Sequence, residues 1–205
     1  MGAVEAKQID PSSKSGAGEK VTQNRDAGNS SPTMAAVGSK RPLTDCGDLD
    51  MRIARDGTWY YRGSPIERLP LVRLFASVLR REPDGRYWLV TPAERGLIEV
   101  EDAPFLGVEL SVEGEGRERQ LIFRTNLDEF VTAGPDHPLR VETAASGEPA
   151  PYILVRAGLE ARLTRPVFYE LVELGTEERV ADTTQFGIWS NGTFFRLGEP
   201  GPDWE

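Results

Sequence analysis

Few residues of this chain could do chemistry of their own, and their spacing limits what that chemistry could be. Cys46 is the sole cysteine and His137 the sole histidine among 205 residues. A thiolate nucleophile needs a base or cation beside it. Cys46 stands instead in Asp45-Cys46-Gly47-Asp48, where neighbouring carboxylates favour the neutral thiol. His137 lies in Gly134-Pro135-Asp136-His137-Pro138, which has the composition of a turn. A Cys–His dyad is therefore not expected, and with one His and no Gly-x-Ser-x-Gly neither is a serine triad. A lone Cys also excludes an intramolecular disulfide and a cysteine metal site. The densest acidic groups are Glu99-x-Glu101-Asp102 and Glu113-x-Glu115. Glu99 and Glu101 alternate onto one strand face while Asp102 starts a turn, which reads as a solvated acidic face rather than a cation cage. Gly114-Glu115-Gly116 is acidic where a phosphate would lie and lacks the rest of either nucleotide fingerprint. No catalytic residue, metal or cofactor is expected.

What remains is a set of aromatics and arginines: Trp59, Tyr60, Tyr61, Trp88, Trp189, Phe194 and Phe195, with Arg52, Arg55, Arg73, Arg124 and Arg196. Strand alternation puts Trp59 and Tyr61 on one face and Tyr60 on the other. One face meets a helix, and the other is left for the second lobe, a partner or a ligand, since aromatics and Arg are enriched in interface cores. The expected ligand- or partner-binding residues are Arg52, Trp59, Tyr61, Arg73, Arg124, Trp189 and Phe194.

The elements that position them lie in the last three-quarters of the chain. Every aromatic residue is at Trp59 or later. Residues 1–45 are rich in Ser, Gly, Ala, Lys and Asp, lack a hydrophobic period, and are expected to be a disordered tail. Met51 to Arg55 alternates, Asp56-Gly57 follows, and Thr58-Trp59-Tyr60-Tyr61 is β-prone, which predicts a hairpin with a type I′ turn. Leu71, Leu74, Phe75, Val78 and Leu79 have helical spacing behind Pro70. They predict an amphipathic helix of about 12 residues carrying Arg80 and Arg81 near its end. Strands are expected at Tyr87–Val90, Leu97–Val100, Phe105–Val112, Arg119–Phe123, Leu139–Val141 and Tyr152–Val155, with a turn at Thr91–Glu94. Asn126–Glu129 resembles an N-capped helical turn ending at Gly134. A second helix is predicted from Thr164 as cap, with Pro166 in its first turn, to Leu174, where Gly175 stops it. Asn191-Gly192 marks a final hairpin.

Ile53–Gly63 matches Ile188–Gly198 at Ile, Gly, Thr and Gly, and Tyr87–Leu97 resembles Tyr152–Leu159. These similarities suggest a duplication whose second copy has its elements in permuted order. The expected fold is α+β: two similar small lobes, each a mostly antiparallel twisted sheet packed with one helix. The first lobe would be residues 46–116 and the second 117–198, with a C-terminal tail of 199–205.

The ordered motifs Cys46–Tyr61, Gly63–Ile66, Leu71–Phe75, Leu89–Pro92, Val100–Phe105, Phe123–Asn126, Arg156–Glu160 and Tyr169–Leu174 resemble those of the bacterial domain-of-unknown-function family 1285. The resemblance covers about Cys46 to Gly198. It implies two repeated β-rich motifs, each packed with a helix, and a link to signal transduction, and it brings no catalytic residues with it.

Net charge is −9, and the tail carries six positive and five negative side chains, so the acidity belongs to the folded part. An acidic surface disfavours non-specific nucleic-acid binding. The N-terminus has no charged start followed by an apolar run, and no stretch approaches membrane-spanning length. The expectation is a cytoplasmic, non-enzymatic module that binds a small ligand or a protein partner. Two rivals accompany it: a cryptic hydrolase using Asp56, Glu101, Asp102 and Arg124, and a weak nucleic-acid binder using Arg73, Arg80 and Arg81.

Overall fold

The computed structural model describes residues 43–144, 147–180 and 182–198. The expected tails of 1–45 and 199–205 thus lie outside the described residues, except that a strand has already begun at Thr44. The chain is α+β. The first sheet comprises β1 (Thr44–Ile53), β2 (Trp59–Tyr61), β3 (Ser64–Pro65), β4 (Leu79–Arg81), β5 (Tyr87–Val90) and β6 (Glu94–Val100), with α1 (Leu69–Val78) between β3 and β4. The second comprises β7 (Phe105–Glu113), β8 (Gln120–Thr125), β9 (Phe130–Thr132), β10 (Leu139–Thr143), β11 (Pro149–Arg156) and β12 (Leu159–Leu163). After α2 (Arg165–Glu173), the strands β13 (Thr176–Val180), β14 (Thr183–Ser190) and β15 (Thr193–Gly198) form a third, three-stranded sheet.

Both six-stranded sheets are built alike. Their orders are β3-β2-β1-β6-β5-β4 and β10-β11-β12-β7-β8-β9, so each consists of two antiparallel meanders. The first and last strands of each set meet in the middle as a parallel pair, β1 with β6 and β7 with β12. Two similar sheet-based lobes are therefore present. Their seam is at residues 101–104, because β7 and β8 pair from Gly107↔Thr125 to Glu113↔Gln120 and a division at 116 would cut their hairpin.

The elements read from the sequence occur in the order read there: hairpin β1–β2, α1 and strand pair β5–β6, then strand pair β11–β12, α2 and hairpin β14–β15. Meander, helix, meander occurs twice in the same order, as β1–β3, α1, β4–β6 and as β10–β12, α2, β13–β15, with β7–β9 between. Ile53–Gly63 and Ile188–Gly198 lie in non-equivalent hairpins, one before a helix and one after, and they match because Asp-Gly and Asn-Gly serve similar turns. Tyr87–Val90 and Tyr152–Val155, by contrast, occupy corresponding strands of the two sheets.

Local chemistry explains several other departures. The first hairpin turns through Arg55 and Asp56, with Gly57 N–H donating to the Ala54 carbonyl (2.9 Å). Gly57 follows at φ +80°, giving a three-residue loop rather than a type I′ turn. Asn126–Glu129 is likewise a hairpin turn, not helical: Asp128 adopts φ +63° and its N–H donates to the Thr125 carbonyl (2.9 Å). In α1 the buried residues are Val72 and Ala76, while Leu74 is 60% exposed. The helix ends at Val78, and Leu79 to Arg81 pair with β5 as an edge strand, so Arg80 and Arg81 do not sit on the helix. Thr164 does not cap α2 with its side chain, because its hydroxyl donates to the Gly107 carbonyl of β7 (3.2 Å). Among the described residues the main buried core draws on all three sheets, including Ile53, Trp59 and Leu79 of the first, Phe105, Phe123 and Leu159 of the second, and Ile188 and Phe195 of the third.

Candidate functional site

A concavity of about 700 Å³ opens beside the N-terminus of α2. Its floor is Leu106 of β7, Leu163 of β12 and Phe168 of α2, with Pro149 and Pro151 on one wall. Arg55 and Asp56 from the first hairpin, Arg162 of β12, and Arg165 and Tyr169 of α2 stand around the rim. This size is that of an ordinary small-ligand pocket. Pro166 starts the helix at a position where a missing N–H costs nothing. With Thr164 turned toward β7, no side chain caps the first turn, and the positive end of the helix dipole faces the cleft.

Gly57 brings the first sheet to this place. At φ +80°, with a Cβ that would come within 2.8 Å of Asn126 Nδ2 and 3.1 Å of Leu106 Cδ1, a larger residue would be strained where the hairpin tip seats on β7. Asn126 is fixed by accepting from the Leu106 N–H (3.0 Å). Asp102, in the seam between the sheets, collects the side chains behind the rim. It pairs with Arg162, lies 3.6 Å from Arg55 Nε, and accepts from the Tyr152 hydroxyl at 2.8 Å. Burial and the Asp102 hydrogen bond push the Tyr152 phenol up to about 12. Arg140 stacks over that ring at 4.4 Å, and the two hydrogen bonds it donates to the Glu160 carboxylate raise its already high pKa. Backbone and hydroxyl donors from Thr58 hold the Asp56 carboxyl below its usual range. Asp56 on the rim is therefore ionised at neutral pH.

The seven residues picked from sequence are dispersed. Arg52 stacks over Tyr60 at 4.4 Å and pairs with Glu101. Trp59 is 2% exposed and stacks on Phe75 in the core, so no surface ligand reaches it. Tyr61, 45% exposed, lines a separate cleft with Ile66, Leu71 and Phe75. Arg73 and Arg124 share Asp128, and Arg124 also donates to Glu109 at 2.6 Å. Trp189 and Phe194 pack together with centroids 5.4 Å apart on the third sheet, under Arg117. The cleft residues Arg55, Arg162 and Arg165 were not in that set. Their signal was Arg165-Pro166 opening a predicted helix straight after a strand bearing Arg162, whereas a search for aromatics passes over it.

The other chemistries place as follows. Cys46 faces Glu94 (Sγ to Oε2, 3.6 Å), and burial together with that carboxylate raises its pKa. His137 Nδ1 is instead engaged by the Leu154 carbonyl at 3.0 Å. Among the described residues no cluster of three His, Cys, Asp or Glu side chains could hold a metal. Asp56, Glu101 and Asp102 do gather near the hairpin, but Arg124 makes its ion pairs elsewhere. Of the basic trio, Arg73 pairs with Asp128, Arg80 donates to the carbonyls of Ser77 and Leu79, and Arg81 stacks over Tyr87, so they do not form a stripe of free cations.

Two family models cover this architecture. Residues 39–103 match the domain of unknown function (DUF1285), N-terminal domain, and residues 104–197 the protein of unknown function (DUF1285), C-terminal domain. The chain belongs to the DUF1285 family. The boundary between its two domains coincides with the seam at 101–104, where the first sheet gives way to the second. A crystal structure of a DUF1285 family protein from Silicibacter pomeroyi DSS-3 is similar at a TM-score of 0.71 and 49% identity, over 77% of this chain and 84% of that one. A DUF1285 family protein from Shewanella baltica OS155 matches with a TM-score of 0.48 and 26% identity, over 62% of this chain and 91% of that one. No curated protein matches the sequence. Among the described residues, no helix is long and apolar enough to cross a membrane.

Proposed function

We propose that this DUF1285 protein is a non-enzymatic cytoplasmic binding module whose ligand is a small organic anion held in the cleft beside α2. The signalling link implied by the family resemblance fits a module that senses such a ligand. The observation that carries the reading is the cleft itself: guanidinium groups of Arg55, Arg162 and Arg165 around an apolar floor of Leu106, Leu163 and Phe168 in about 700 Å³. A site of this make-up orients a ligand by its charged end and holds it by its apolar end. A ligand that binds only the folded state raises the melting temperature by mass action. Thermal-shift measurements with a panel of organic anions test the reading. The expected result is a concentration-dependent rise that disappears in Arg165→Ala; a panel without effect, or a rise that survives in that variant, contradicts it.

A second reading is favoured by a separate observation. Trp189 and Phe194 form a half-buried aromatic pair flanked by Arg117, with the Trp189 N–H donating to Glu178 at 3.1 Å. Aromatic and Arg anchors of this kind suit a protein partner. Its test is capture of one defined partner by the parent chain and loss of that partner in Trp189→Ala, at unchanged melting temperature.

A further inference from the structure

Resting on the proposed cleft, we infer that its ligand is a monocarboxylic acid with an unbranched or aryl apolar body. The charge around the cleft decides against the more common phosphate ligands. Arg162 is held by Asp102, Arg165 by Glu148 at 2.7 Å, and Arg55 loosely by Asp102 at 3.6 Å, while Asp56 adds a further carboxylate on the rim. Three guanidinium groups therefore face three carboxylates, and the rim has no surplus positive charge to offset a phosphate dianion. One anionic head can still be accommodated by partner exchange. The Arg55 and Arg165 side chains are 71% and 72% exposed, so their ion pairs are of the solvated kind that contributes little. A planar carboxylate can replace Glu148, which takes a single hydrogen bond from Arg165, and can add a second bond to the guanidinium fork. Arg162, at 26% exposure, sits deeper and stays on Asp102.

The rest of the ligand must be apolar. Leu106, Leu163 and Phe168 present hydrocarbon below the rim, and Pro149 and Pro151 offer no N–H to a polar body. The exposed Tyr169 ring, 61% accessible, stands where the far end of such a body emerges. The same chemistry occurs in a free acid and in the C-terminal residue of a polypeptide.

Titration calorimetry on the full chain with acetate, butyrate, hexanoate and octanoate, 3-phenylpropionate, octanamide, octyl phosphate and a tripeptide ending in Phe tests this. Each buried methylene should raise affinity about fourfold until the floor is filled. Octanamide should bind at least tenfold more weakly than octanoate, and octyl phosphate no tighter than octanoate. Arg165→Ala and Arg55→Ala, both at exposed positions, should each weaken octanoate about tenfold while leaving the dependence on chain length intact. An affinity that does not change with chain length, or tighter binding of octyl phosphate that still needs Arg165, would show that the cleft takes another class of anion. A tripeptide that binds tenfold tighter than 3-phenylpropionate and fails when amidated would move the ligand from a free acid to a protein terminus. If nothing in the series binds and Arg165→Ala changes nothing, the cleft is not the ligand site at all.

Discussion

Single residues divide here into those that hold the fold and those that stay available. Trp59 and Trp189 looked equivalent as strand aromatics, yet the first is in the core and the second on a sheet surface. Trp59→Ala should therefore cost about 3–5 kcal/mol, the range for a large aromatic in a core, whereas Trp189→Ala should cost about 1 kcal/mol. Denaturant titration of both variants measures the difference, and equal costs would contradict this assignment. Alternation told that Trp59 and Tyr61 share a face, but not which face meets α1, because that depends on packing partners far along the chain. Tyr152 gives a pH prediction. Its pKa is raised from an ordinary 10 to about 12, so the folded state keeps a proton that the unfolded state releases. The corresponding stability, on the order of 2 kcal/mol, is fully present below pH 10 and is lost as pH rises from 10 toward 12. Tyr152→Phe should flatten the alkaline limb of a stability-against-pH curve across that window. An unchanged limb would mean that the phenol does not carry it.

Elements depend on turn chemistry that is short-range and on docking that is not. Asn191-Gly192 was readable because both residues adopt positive φ in a two-residue turn. Pro70 and Pro166 likewise marked both helix starts. The end of α1 was not readable, since Leu79 fits a helical stripe and also an inward-facing strand position, and only pairing of Leu79 with Leu89 decides between them. Thr164 stands at the N-cap position of α2 as its sequence context predicts, but its hydroxyl competes between its own helix and β7, and β7 wins. Gly57→Ala should destabilise the protein by about 1–3 kcal/mol, because it combines a left-handed φ with a close approach to Asn126. It should also weaken any ligand of the cleft by displacing Arg55, and a melting temperature equal to the parent's would refute the docking role. Arg156 is a second tie between elements, donating to the Ala76 carbonyl of α1 at 2.8 Å, pairing with Glu129 and lying over Phe105 at 5.0 Å. Its replacement by Ala should cost about 1–3 kcal/mol, measured by the same titration.

At the scale of the whole molecule, the α+β class was legible from periodicity and the two similar lobes from the resemblance of Tyr87–Val90 to Tyr152–Val155, whereas the parallel pairing of β1 with β6 and of β7 with β12 was not. Sequence similarity between hairpins reports turn chemistry, while topology is set by which strands pair across long separations. The shared core leads to a single prediction. Residues from all three sheets contribute to it, so the two family domains should melt together. Calorimetry should show one transition, and two resolved transitions would mean that the sheets are independent. The central parallel seams have a different consequence, for the order of events during synthesis. β1 leaves the ribosome long before β6, and β7 long before β12, so each sheet lacks its middle hydrogen bonds until its last strand has been made. Contacts of such long sequence separation slow folding. Until each seam closes, the half-built sheets present bare strand edges, β1 waiting for β6 at residues 94–100 and β7 for β12 at residues 159–163.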